Sequence, residues 1–165
     1  MRLRTQRTPT NFAIAAILVV LSAGIAAGQK PTLAEQIDTQ DGITMKAIYV
    51  TPAYFKAAPR DPLTGKVDLD RTVVFAVVLD THSGDLSRYD LVKTAILSND
   101  RGRRVTPLQW VATADGAHHR AGGLVFPKVD PSGSAIDGQA RSLELIIREL
   151  GGVPERTLRW TLPVE

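Results

Sequence analysis

From Ile43 onward, apolar runs rich in Val, Ile, Leu and Phe are cut by clusters of Gly, Pro, Asn and Asp roughly every ten to fifteen residues. Runs that short leave no room for a long helix, and β-branched and aromatic side chains suit a pleated, half-buried surface. The pattern predicts strands at Ile43–Val50, Arg71–Leu79, Tyr89–Leu97, Val105–Val111, Gly123–Phe126, Ser142–Leu150 and Arg156–Leu162. The first is expected to resume at Ala53–Lys56 after Pro52. Arg71–Leu79 carries a run of Val, Phe, Ala and Leu and reads as a central strand buried on both faces. Pro107 marks the fourth strand as an edge strand, because proline cannot donate to a ladder. Leu143, Leu145 and Ile147 alternate to one face, as do Leu158, Trp160 and Leu162. Arg, Leu and Glu make a helix the rival reading of Ser142–Leu150; its alternation and the Gly151-Gly152 stop favour a strand. Ala57–Asp70 and Asp130–Gly138 are turn-rich loops, and Asn99–Gly102 is a hairpin turn. About seven short strands predict an all-β fold, an immunoglobulin-like antiparallel β-sandwich, with a small barrel as the second architecture.

The N-terminus follows a different pattern. Arg2, Arg4 and Arg7 precede an apolar run from Phe12 to Ala27 that ends in Gly24, Ala26, Ala27 and Gly28. A basic start, a short apolar stretch and small residues describe a secretory signal peptide. The run is about 16 residues, shorter than the roughly 20 that span a bilayer. The expected organisation is a signal peptide at 1–27 (or an uncleaved N-terminal anchor), a linker at 28–41 and a β-sandwich domain at 42–165. Thr32 and Glu35 have capping-box spacing, but the linker is too short to hold a helix alone. The domain is expected in the periplasm or secreted.

That organisation removes a function class. Three of the 20 Lys and Arg residues precede Phe12, so a chain starting at Gly28 carries 17 of each sign. The basic excess belongs to the targeting segment and does not argue for nucleic acid. The chain has no cysteine, hence no disulfide, thiolate ligand or cysteine nucleophile. About 138 residues from Gly28 suffice for one domain with one core.

Three histidines make up the imidazole inventory. His82 lies in Asp80-Thr81-His82-Ser83-Gly84-Asp85, and His118 and His119 lie in Asp115-Gly116-Ala117-His118-His119-Arg120. If strands run alternately up and down, loops 80–88, 112–122 and 151–155 fall at one end of the domain. His82, His118 and His119, with Asp80, Asp85 or Asp115, would then offer nitrogen and oxygen ligands suited to Cu(II) or Zn(II). Adjacent histidines on an extended backbone point to opposite faces, and Arg120 sets a positive charge beside the proposed cation. The competing reading is a brace: Asp80, Thr81 and Ser83 bond nearby amides, and Arg120 pairs with Asp85 across the loops. Ser83, His82 and Asp80 are sequence neighbours and cannot form a nucleophile–base–orienter set. Asp61–Asp70 lacks the order of a calcium loop. Arg101, Arg103 and Arg104 read as a solvated hairpin tip, and Trp110 and Trp160 as core.

Three segments carry a resemblance: Asp80-Thr81-His82-Ser83-Gly84-Asp85-Leu86, Pro107-Leu108-Gln109-Trp110, and His118 through Pro127. The chain resembles a group of uncharacterised exported bacterial and archaeal domains. These have a Thr-His-Ser…Asp-Leu segment and a Gly-Gly-His-His-Arg segment before a strand ending Phe-Pro. Here Gly116-Ala117 replaces the glycine pair. The resemblance implies a recurring β-domain in which the two histidine segments travel together, and it implies no activity. The combined expectation is an exported, non-enzymatic β-sandwich that binds Cu or Zn through loop histidines. The alternative is a structural or protein-interaction module in which those loops brace the fold. Its partner would be another exported or membrane protein and not nucleic acid; it would meet the membrane itself only with residues 1–27 uncleaved.

Overall fold

The computed structural model describes residues 35–164. The segment read as signal peptide or anchor lies outside them, as does the first half of the linker, residues 28–34. Within them the chain forms nine strands: β1 (Glu35–Gln40), β2 (Ile43–Val50), β3 (Thr72–Thr81), β4 (Ala95–Asn99), β5 (Arg104–Val105), β6 (Gln109–Asp115), β7 (His119–Pro127), β8 (Ser142–Leu150) and β9 (Val153–Thr161). Two short helices, α1 (Pro52–Ala57) and α2 (Leu91–Thr94), complete the elements used below. The strands make two antiparallel sheets, ordered β1-β2-β3-β7-β6 and β5-β4-β8-β9. The fold is all-β and built as a sandwich, in agreement with the strand pattern.

Alternation explains the core. Val73, Phe75, Val77 and Leu79 of β3 point inward and meet Leu97, Leu143, Leu145, Leu158 and Trp160 of the facing sheet. Phe75 and Trp160 ring centroids lie 4.7 Å apart. The opposite face of β3 is covered too. Val74 packs with Val50, Val125 and Tyr54, under Phe55, Val67 and Leu69 of the α1 loop region. That second layer is why β3 lacks a polar face.

Four expectations need correction. Residues 35–40 are a strand, not linker: β1 pairs with β2 through a tight Asp41-Gly42 turn, both residues with positive φ. Ala53–Lys56 is helical, because Thr51 caps the Tyr54 amide and Pro52 opens the first turn. Tyr89–Leu97 begins as the one-turn α2, capped by Asp90, before β4 starts. Val105–Val111 is two strands in different sheets, with Pro107 at the crossing. The first and last of these raise the strand number from seven to nine. Ser142–Leu150 is a strand over its whole length, paired with β4 and β9.

Candidate functional site

Strand direction places the histidine segments. β3 ends at Thr81, opposite Ile43 at the start of β2, and Asp80 faces His119 at the start of β7. Gly151, in the β8–β9 turn, lies close to Ile43: a Cβ there would sit 2.8 Å from Ile43 Cδ1. The three loops predicted to share one end of the sandwich do so.

Main-chain bonds zip those loops together. The Thr81 amide donates to the His118 carbonyl at 3.0 Å, and the Leu86 amide to the Ala117 carbonyl at 2.7 Å. The buried Thr81 hydroxyl lies 3.0 Å from the Gly42 carbonyl oxygen, on the β1–β2 turn, and 2.8 Å from that of Ser83. Loop geometry here is set by the backbone, and the histidine rings are left outside it.

The five candidate ligands fall into separate groups. His119, which opens β7 and does not lie in a loop, has its Nδ1 2.6 Å from Asp80 Oδ1. Those two side chains are 59 % and 45 % exposed, so the pair lies in water. Asp85 caps the short turn at Leu86–Arg88, accepting from the Ser87 amide at 2.8 Å and the Ser87 hydroxyl at 2.7 Å. Those two bonds hold its carboxyl below the usual carboxylate range, with Arg88 and His118 adding smaller attractions. His82 is exposed and makes no hydrogen bond or ion pair among the described residues. Among the described residues no three His, Asp or Glu side chains converge on a point that would hold a metal ion.

The side chain at the centre of this end is Arg120. It is buried, and its Nε donates to Asp115 Oδ1 at 2.6 Å. Its Nη1 donates to the carbonyls of Tyr89 and, at 3.4 Å, Leu86. Its guanidinium lies 5.4 Å from the Trp110 ring centroid. The expected Asp85 partner is replaced by Asp115, because β6 and β7 put Asp115 directly opposite Arg120 in register. One side chain thus ties β6, β7 and the segment between β3 and β4.

A second buried arginine was not singled out by sequence reasoning. Arg156 of β9 reaches the Ile43 carbonyl at 2.9 Å, the Gln40 carbonyl at 2.6 Å and Asp38 Oδ2 at 3.3 Å. It pins the β1–β2 turn to the facing sheet. Its signal was present: Arg156 shares the inward parity of Leu158 and Trp160.

No protein-family model matches the chain, and no curated protein matches it. Among solved structures it is similar to a DUF4426 family protein from Pseudomonas aeruginosa PAO1, at 16 % identity. The match covers 76 % of this chain and 90 % of that one, with a TM-score of 0.37. A likeness of that size carries no residue roles.

Proposed function

We propose that this chain is an exported, non-enzymatic β-sandwich module that works through protein interaction, and that its histidine end braces the fold. The observation that supports this reading is Arg120. A buried guanidinium is costly unless its donors are satisfied, and here they bond an acid and two carbonyls on the elements that surround it. The transition-metal reading has less behind it. Asp80 and His119 supply two adjacent donors, where structural zinc takes four protein ligands and catalytic zinc about three.

Calorimetric titration of Cu(II) and Zn(II) tests the choice. The heats of the parent and of His82→Ala are expected to match, with no binding stoichiometry in either. A one-to-one isotherm lost in His82→Ala would establish the metal reading instead.

A further inference from the structure

The sandwich is closed along one side, where β1 of one sheet contacts β9 of the other. Along the other side β5 and β6 are the outermost strands of their sheets, and Thr106, Pro107 and Leu108 cross between them. A cleft of about 490 Å³ opens there, bounded by that crossing, by Ile96 of β4, by Pro127 at the end of β7 and by Val129 and Pro131 just after it. Leu108 and Val129 are 61 % and 50 % exposed, and they are two of the three large hydrophobic side chains described as exposed. Scattered single apolar residues are ordinary on a protein surface; here two share one cleft whose walls include Pro107, Pro127 and Pro131. Proline walls are stiff, so less order has to be imposed on binding.

Two charged side chains line the cleft, Arg104 and Asp130. Its carboxylate, Asp130, is already taken: Arg103 Nη1 lies at 3.0 Å, and the Ser132 and Ser134 amides donate at 2.8 and 3.0 Å. Arg104 also lines the cleft, is exposed, and has no carboxylate partner among the described residues. The hairpin-tip arginines are therefore not equivalent. Arg103 is spent within the fold, and Arg104 is available to a ligand.

We propose that this cleft docks an extended peptide segment of another protein, with an acidic side chain on Arg104 and apolar side chains between Leu108 and Val129. A planar guanidinium beside an apolar floor selects a carboxylate flanked by aliphatic groups. The proposal rests on the interaction-module reading and names its partner chemistry.

Two fluorescein-labelled octapeptide pools test it by anisotropy, one built from Glu, Leu, Val and Pro and one from Lys, Leu, Val and Pro. The acidic pool is expected to bind the protein at least about tenfold tighter than the basic pool, and less tightly as salt rises. Leu108→Asp and Arg104→Glu should each remove that binding without changing the melting temperature, since both side chains are exposed. Ile37→Asp, on a distant exposed strand, should leave it intact. Equal affinity for the two pools, no binding of either, or equal loss with Ile37→Asp overturns the proposal. Dimerisation that Leu108→Asp abolishes would assign the cleft to a second copy and overturn it as well. The Arg120 brace is read by thermal melts that Leu108→Asp does not touch, so the two ideas fail separately.

Discussion

At the scale of single residues, two buried arginines do more for this end of the molecule than three histidines. Arg120 and Arg156 each bond main-chain carbonyls of neighbouring segments. Arg156→Met is expected to loosen the β1–β2 turn, read as faster amide exchange at Asp41 to Met45 than at β8. Equal exchange in the parent and the variant would refute that role. Two tyrosines add a dependence on alkaline pH. Burial first, then the Asp137 carboxylate and its hydrogen bond, push the Tyr49 phenol up to about 12. Tyr54 is raised further, by burial and by its bond to Asp61. The folded state thus holds these protons more tightly than the unfolded chain. Their contribution is complete below the ordinary tyrosine pKa of 10 and is lost as pH rises toward 12. Tyr49→Phe should flatten the fall in denaturant midpoint over that window; an unchanged slope would reject the assignment. Arg120 was legible as a brace from its place beside His119, but its partner was not. Which acid faces it depends on the β6–β7 register, and that register shifts at a bulge between Ala112 and Ala114.

At the scale of elements, what could be read was what alternation controls. β2 and β8 have the bounds that their periodicity predicted, with Leu143, Leu145 and Ile147 buried, and β3 was recognisable as central because both its faces are apolar. The errors fell where local chemistry outvotes pattern. Thr51-Pro52 starts a helix in a stretch read as a continuation of the first strand, and Pro107 divides an apolar run between two sheets. β1 was hidden because EQIDTQ is polar; it is an edge strand exposed along its outer side, so little in its composition announces a sheet. Gly122 shows how tightly the β6–β7 pair is built. A Cβ there would lie 2.5 Å from the Val111 carbonyl oxygen and 2.7 Å from Trp110 Cζ2. Gly122→Ala must displace backbone and the ring that supports Arg120, at a cost of about 2–4 kcal/mol. Urea unfolding checks this, and a loss under about 1 kcal/mol would mean that β6 yields easily.

At the scale of the whole molecule, the sandwich carries both buried arginine braces at one end and leaves an open apolar cleft along one side. The chain has no cysteine, so this stability rests on the core and on the two arginine braces rather than on cross-links. The convergence of three loops at the histidine end was readable from strand reversal, because β1 precedes the stretch that sets that parity and β5 and β6 together take the place of the one strand expected between β4 and β7. What the loops do there was not readable, since a histidine-rich loop looks the same whether its rings or its backbone carry the contacts. The most direct test is calorimetric melting of Arg120→Ala beside His82→Ala. Loss of the charged hydrogen bonds should cost about 2–3 kcal/mol, a fall of roughly 6–15 °C in Tm, while His82→Ala stays within about 1 °C of the parent. An Arg120→Ala protein that melts with the parent would contradict the bracing account.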